Sequence, residues 1–291
     1  MTHSIVRKAK ALAYRFLSPG ILRRLQVSSD WIHTRIWNSS KIAVTPLGFK
    51  LAAGSYSANR QMQSGDYERD ETELVKRFLE TADLFVDVGA NIGFYSCLAK
   101  QLKKKCVAVE PQPSNVRYLL QNFLLNGWPD SEVFPVGLSD RAGLSLLYGA
   151  SGPSASLLEG WGGYSSRFHQ IIPVNTLDAI LGERFEKERM LIKIDVEGAE
   201  FRVLLGATRT LTRIPSPVWH IEICLDQYHP EAGNPNFLKT FELFWRFGYQ
   251  AFVANREMRR ITRRDIEGWL HQGRSEPGVL NFLFVKEGIS F

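Results

Sequence analysis

The chain has 291 residues, 44% apolar and 12% aromatic, which is enough to bury a full core and excludes a disordered tail. Its formal charge of +6 lies wholly in residues 1–40, where seven Lys/Arg face the single acid Asp30; the body is neutral, which argues against a duplex-binding face. No apolar run approaches the ~20 residues of a bilayer-spanning helix, and three cysteines without paired spacing (Cys97, Cys106, Cys224) argue against a disulfide framework and a structural zinc site.

Near the start, Ile5, Val6, Ala9, Leu12, Ala13, Phe16 and Leu17 recur at helical spacing with basic residues between them. Over residues 1–27 this pattern fits a helix lying on an anionic membrane surface, or one packed on the domain. The basic residues also break up any secretory signal, so the expected location is cytoplasmic, with peripheral contact at the inner face of the membrane. Residues 1–64 are expected to form a basic extension, an amphipathic helix plus a linker or cover segment, and 65–291 the main domain.

From about residue 70, β-branched runs alternate with helical patterns, the rhythm of a parallel sheet with helices on its faces. A strand over 84–88 leads through Gly89 and Gly93 into a helix ending near Lys103, Lys104 and Lys105, which would complement the macrodipole. A strand over 106–109 runs into Glu110. Pro113 then opens a helix with Val116, Leu119, Leu120, Phe123 and Leu124 as its stripe, stopped by Asn126-Gly127. A third strand covers 132–136. Residues 143–169, rich in Gly and Ser, read as a long binding loop or a mobile insertion, with a short hairpin near 144–148. Then come a strand over 191–195, a helix over 197–211 and a strand over 218–223. A helix rich in aromatics (Phe237, Phe241, Phe244, Trp245) closes at Gly248, and strands over 249–254 and 280–286 flank a charged segment holding Arg259, Arg260, Arg263 and Arg264.

Polar residues gather at the carboxyl ends of these strands. Asp87, Gly89, Asn91 and Gly93 stand between the first strand and its helix, where glycines let a ligand approach the backbone. Glu110 ends the next strand, 17 residues after Gly93, placed to accept hydrogen bonds from both hydroxyls of an adenosine ribose. Those features fit NAD or S-adenosylmethionine. Asp87 separates the two: a pyrophosphate would meet its carboxylate at close range, whereas an ammonium and a sulfonium are attracted to it. Asn91 replaces the middle glycine of a dinucleotide fingerprint, and no phosphate-loop lysine follows.

Asp140, after the third strand, is either within reach of an adenine edge or a turn former. Asp195 ends the fourth strand, with Lys193 and Glu197 on the same side. On the fifth strand His220 and Glu222 share a face. Charges on central strands are unusual because helices cover both faces, so their clustering at strand ends marks a site. His220 also reads as a satisfied core histidine.

The run "FVDVGANIGFYS", the "EPQPSN" after the second strand, "VNTLD" at 174–178 and above all "IKIDVEGAEFRVLLGA" resemble the FkbM family of S-adenosylmethionine-dependent methyltransferases. The "GDYERDE" at 65–71 resembles the segment that precedes that family's domain, and "NFLFVK" its final strand. The resemblance covers roughly 65–225. It implies an α/β, Rossmann-like class I methyltransferase fold: a mostly parallel seven-stranded sheet with an antiparallel last strand, here with an N-terminal helical extension. It also implies that Asp87, Gly89, Asn91, Gly93 and Glu110 hold S-adenosylmethionine, and that Asp195, Glu197 and Glu200 lie near the methyl group or buttress the site. The "GWGGYSSRF" stretch and the basic N-terminus match nothing in the family.

The expected activity is methylation of a hydroxyl on a small molecule, a saccharide or a glycolipid, with no nucleic-acid partner. Alignment of the acceptor oxygen with the methyl group supplies most of the catalysis, and a base assists loss of its proton. Asp195 or His220 is expected to be that base, with Glu222 orienting the acceptor. No metal is required, although Asp195 and Glu222 holding a divalent ion would be another way to acidify the hydroxyl. A second reading is a non-catalytic, membrane-associated scaffold with a methyltransferase-like domain.

Overall fold

Alternating apolar runs and helical stripes resolve into a doubly wound sheet in the computed structural model, which describes residues 41–54, 57–149, 154–230, 233–276 and 279–287. The expected amphipathic helix over 1–27 lies outside these residues. The described chain begins with a hairpin, β1 (Lys41–Val44) and β2 (Lys50–Ala53), followed by α1 (Ser57–Ser64) and α2 (Arg69–Thr81). Next come β3 (Leu84–Val88), α3 (Phe94–Gln101), β4 (Lys105–Val109), α4 (Pro113–Leu125) and β5 (Glu132–Phe134). A side sheet follows, of β6 (Gly137–Leu138), β7 (Gly143–Tyr148) and β8 (His169–Asn175), leading into α5 (Leu177–Leu181). The second half contains β9 (Met190–Ile194), α6 (Glu200–Leu205), α7 (Thr208–Leu211) and β10 (Val218–Glu222). It closes with α8 (Phe237–Arg246), β11 (Tyr249–Val253), β12 (Arg260–Ile261), α9 (Arg263–Gln272) and β13 (Asn281–Lys286).

The main sheet runs β5-β4-β3-β9-β10-β13-β11-β12. Strands β3, β4, β5, β9 and β10 are mutually parallel. β13 is antiparallel to both β10 and β11. The expected seven-stranded sheet with an antiparallel last strand is therefore present, and the two-residue β12 adds an eighth strand at the edge. The order reverses between β3 and β9, the switch point at which open α/β sheets form a crevice.

Every residue of β3 and β9 is buried, as strands covered on both faces must be. The parallel register nevertheless sets Asp87 of β3 opposite Lys193 of β9, and Lys193 opposite His220 of β10. Three polar residues thus form a row across the centre of the sheet. They lie on the face that also carries Phe85, Leu191 and Leu283, beneath Leu74, Phe78 and Leu98 of α2 and α3. The other face packs on α8 through Phe237, Phe241 and Phe244, whose rings meet Phe282 and Phe284.

Several elements differ from the sequence reading. The helix after Gly93 stops at Gln101, Lys103 turns left-handed (φ 60°) and Lys105 already opens β4, so the three lysines do not form a last helical turn. The expected helix over 197–211 is split into α6 and α7 at Gly206, where a Cβ would lie 2.2 Å from the carbonyl oxygen of Ser139. The long Gly/Ser region is shorter than expected, because β7 and β8 pair over six residues. The charged segment after β11 contains α9, begun by a capping box between Thr262 and Asp265. "VNTLD" is structural: Thr176 caps α5, and the Asp178 carboxylate accepts the Arg209 and Thr210 amides at 2.8 Å, capping α7.

Residues 41–64 cover the domain. Phe49, Leu51 and Met62 share a core with Leu74, Phe94 and Phe123. Asn122 of α4, fully buried, clamps β2 in place. Its Oδ1 accepts the Ala52 amide at 2.6 Å, and its Nδ2 donates to the carbonyls of Ala52 (3.1 Å) and Ile92 (2.8 Å). Asn122→Ala strands these buried backbone groups and is expected to lower the unfolding free energy by about 3 kcal/mol in urea titration. A loss below about 1 kcal/mol would show that β2 does not depend on the clamp.

Candidate active site

The turn from β3 into α3 holds three residues at positive φ: Gly89 (85°), Asn91 (51°) and Gly93 (87°). At Gly89 even the smallest side chain is excluded, since a Cβ would sit 1.8 Å from the Asp195 carbonyl oxygen. Glu110, at the end of β4, closes the turn from the other side. Its Oε2 accepts the Asn91 amide at 2.8 Å, and its Oε1 accepts the Gln112 amide at 2.8 Å and Asn115 Nδ2 at 3.3 Å. Burial pushes the Glu110 carboxyl up to about 7 against the pull of these donors. Asp87 accepts from Ser96 Oγ at 2.5 Å, and burial raises it to about 6 although Ser96 and Lys193 oppose the shift.

Beyond this turn the polar row meets the ends of β9 and β10. The Lys193 ammonium, buried, lies 2.9 Å from Asp195 Oδ2, 3.6 Å from Glu71 Oε1 of α2 and 4.9 Å over the ring of Tyr95. Glu71 Oε2 accepts Asn281 Nδ2 at 2.9 Å, and Tyr95 donates its hydroxyl to Glu68 Oε2 at 2.8 Å. Burial lowers the Lys193 pKa, but Asp195 and Glu71 more than offset this and hold it well above the usual lysine value. After β9, Glu197 adopts a left-handed turn (φ 58°) and accepts Trp161 Nε1 at 2.7 Å, while Glu200 accepts the Gly198 amide at 2.9 Å. Burial raises both of these carboxyls.

A cleft of about 1180 Å³, counting its open mouth, joins these features. Asp87, Gly89, Asn91 and Glu110 line it together with Lys193, Asp195 and Glu197, and Tyr67 and Tyr95 lie beside them. Gly93 caps α3 just behind the wall. His220 is 1% exposed and sits behind Lys193, and burial together with that ammonium lowers its pKa to about 3. Glu222, half-buried at the end of β10, accepts a weak contact from Cys224 at 3.6 Å. Asp140 is exposed, bonded by Ser139 Oγ at 2.9 Å, and its neighbour Leu138 rather than Asp140 forms the cleft wall. Sequence reasoning did not single out Glu71, Tyr67 or Tyr95 as site residues, although Tyr67 and Glu71 lie in the 65–71 segment and Tyr95 in the "FVDVGANIGFYS" run; Trp161 lies in the "GWGGYSSRF" stretch.

The donor set suits S-adenosylmethionine. The turn at Gly89 leaves backbone open to close approach, and Glu110 keeps lone pairs for ribose hydroxyls. The charged side chains lining the cleft are four acids and one lysine, a surface that favours an ammonium and a sulfonium over a pyrophosphate. Among the described residues no group of three His, Cys, Asp or Glu is placed to hold a metal ion.

Strand order, the glycine turn and the acid that closes it together define a class I methyltransferase fold. The chain belongs to the FkbM methyltransferase family: the profile described as "Methyltransferase FkbM domain" matches residues 87–251. The cofactor that goes with this family is S-adenosylmethionine. The hexuronic acid methyltransferase AglP of Haloferax volcanii is 28% identical over 163 residues, which is 54% of this chain and 65% of that protein. Among solved structures, the SAH-bound methyltransferase PaMTH1 of Podospora anserina covers 98% of this chain and 96% of its own at 8% identity and TM-score 0.39. The SAM-dependent methyltransferase of Agrobacterium tumefaciens covers 85% and 70% at 10% identity and TM-score 0.42. The fold assignment rests on strand order, not on these distant likenesses.

A carboxyl held near 7 is partly protonated at neutral pH, whereas hydroxyls that donate to it favour the ionised form. Binding of S-adenosylhomocysteine is therefore expected to release protons at pH 7, read by calorimetry in buffers of different ionisation enthalpy. The release should fade above pH 8, where Glu110 is already ionised, and should vanish in Glu110→Gln. Proton uptake on binding would contradict the assignment of Glu110 to the ribose.

Proposed function

We propose that the protein transfers a methyl group from S-adenosylmethionine to a hydroxyl of a saccharide, with Asp195 as the proton acceptor. The observation that carries this reading is the position of Asp195. It lies at the end of β9, its side chain retains 23% exposure on the cleft wall, and it is held at 2.9 Å by Lys193 beside the cradle at Gly89.

When bound, S-adenosylmethionine supplies an electrophilic methyl group with a good leaving group behind it. The acceptor oxygen bonds to that carbon as the carbon–sulfur bond breaks, and the hydroxyl proton passes to Asp195. An exposed, oriented carboxylate suits the task better than His220, which is neutral and lies behind Lys193. Glu222, whose carboxyl is raised by burial and by Asp195 and Glu197, is assigned to orient the acceptor as a hydrogen-bonding neutral acid. Asp87, Gly89, Asn91, Gly93 and Glu110 are assigned to the cofactor.

The saccharide class is supported by the Haloferax volcanii relative, a hexuronic acid methyltransferase. The half-buried ring of Tyr67 on the cleft wall offers an aromatic surface on which a sugar can rest. The reacting group is read as a hydroxyl and not a carboxylate. Lys193, the one cation lining the cleft among the described residues, is already engaged by Asp195 and Glu71, which leaves no second cation there to pair with an anionic acceptor group.

The test is S-adenosylhomocysteine production with neutral hexosides and hexuronosides offered in parallel. Turnover is expected with the neutral sugars, and Asp195→Asn is expected to reduce kcat by about 10²–10⁴ while leaving S-adenosylhomocysteine affinity unchanged. Preferential turnover of the hexuronosides would overturn the hydroxyl reading. An Asp195→Asn variant of full activity would remove Asp195 as the base, and binding of donor with turnover of no saccharide would favour a scaffold.

A further inference from the structure

Lys193 presents an unusual problem for a central strand. Its ammonium is buried among five strands and helices, with its side chain only 4% exposed, and it faces two carboxylates at once. If both carboxylates were ionised, the buried triad would carry a net negative charge; with one protonated it is neutral. Asp195 is the nearer, at 2.9 Å against 3.6 Å for Glu71, and its side chain is the more exposed, 23% against 10%. Hydration therefore favours charge on Asp195 and a proton on Glu71.

The surroundings of Glu71 act in the same direction. Its own helix contributes Glu68; β9 contributes Lys193 and Asp195; β10 contributes His220 and Glu222; α3 contributes Tyr95, and β13 contributes Asn281. His220 Nε2 lies 3.7 Å from Glu71 Oε1, and neither of its ring nitrogens has a hydrogen-bond partner. Burial is the largest influence on Glu71; Lys193 opposes it, Glu68 and Asp195 reinforce it, and the balance leaves the carboxyl well above its usual range. Five elements thus meet around the Lys193–Glu71 pair at the cleft wall.

We propose that Lys193 and Glu71 are positioning residues for methyl transfer, Lys193 orienting an ionised Asp195 toward the acceptor hydroxyl and Glu71 serving as the neutral, protonated second partner of that ammonium. This arrangement leaves Asp195 as the sole anion of the triad and fixes its second oxygen toward the cleft. The proposal rests on Asp195 as the base.

It is tested without an acceptor by titrating ¹³C-labelled side-chain carboxyls, with full-length protein loaded with S-adenosylhomocysteine. The glutamate signal that disappears in Glu71→Gln is expected to titrate near or above neutrality in the wild type. In Lys193→Met that midpoint is expected to move up by about 1 to 3 pH units, because the buried cation beside Glu71 has been removed. A Glu71 signal in the ordinary glutamate range would show Glu71 to be ionised and overturn the proposal.

Thermal melting and S-adenosylhomocysteine calorimetry report whether each variant folds; should Lys193→Met fail to, Lys193→Gln replaces it. With a turned-over hexoside, Lys193→Met is expected to lower kcat at least tenfold with donor KM unchanged, and an unchanged kcat would also overturn the proposal. Since the carboxyl titration needs no acceptor, failure of the saccharide reading and failure of this one are separable.

Discussion

Between the ends of β3 and β9 there is room for a hydrogen atom and nothing larger. The Cα of Gly89 passes so near the Asp195 carbonyl that any Cβ would overlap it, and the Asp195 amide in turn donates to the Val88 carbonyl at 3.0 Å. This contact holds the glycine turn and the end of the fourth parallel strand as one floor. Glu110 is tied to that turn through the Asn91 amide, so this acid, the glycine turn and Asp195 keep fixed distances. A site built on strand ends in this way is more rigid than one carried by loops.

The same proximity explains why polar groups are tolerated in the middle of the sheet. Parallel register makes Asp87, Lys193 and His220 neighbours in one row, where an unpaired charge would be costly. The row is satisfied from outside the sheet: Ser96 of α3 binds Asp87, and Glu71 of α2 faces Lys193. Asn281 of β13 anchors Glu71 in turn. The helices that cover this face therefore both seal the core and complete the electrostatics of the cleft. A Leu or Ile at position 193 would pack against α2 more simply, so retention of an ion there is understood through the site and not through stability.

Much of this was legible in the chain. The strand over 84–88, the glycine turn and Glu110 could be read from alternation and punctuation, because their signals are local and their partners lie within about 20 residues. Asp195 was found the same way, by its place at the end of an apolar run. Glu71 was not. It approaches Lys193 across more than 120 residues of sequence, and nothing in the pattern of α2 sets it apart from an ordinary amphipathic helix acid. The split of the helix at Gly206 was hidden for a similar reason, since a glycine near the end of an apolar stripe does not reveal that the Ser139 carbonyl lies against it. β8 and α9 were missed because a short β-branched run at the edge of a Gly/Ser-rich region and a helix with six polar or charged positions give weak periodicity.

The amino-acid sequence by itself determined the order of strands and helices, the cofactor turn, and the acids that end the strands, because each depends on local backbone preference and the burial of periodic apolar faces. Only the tertiary structure decided which acids face the ligand and which serve one another. Asp140 ends a strand as Asp195 does, yet one turns to solvent and the other to the cleft; His220 follows the alternation of a site residue but is closed behind Lys193. Those outcomes depend on strand register and on how α2 and α3 cover the sheet, and contacts between distant segments leave no period in the sequence from which to read them.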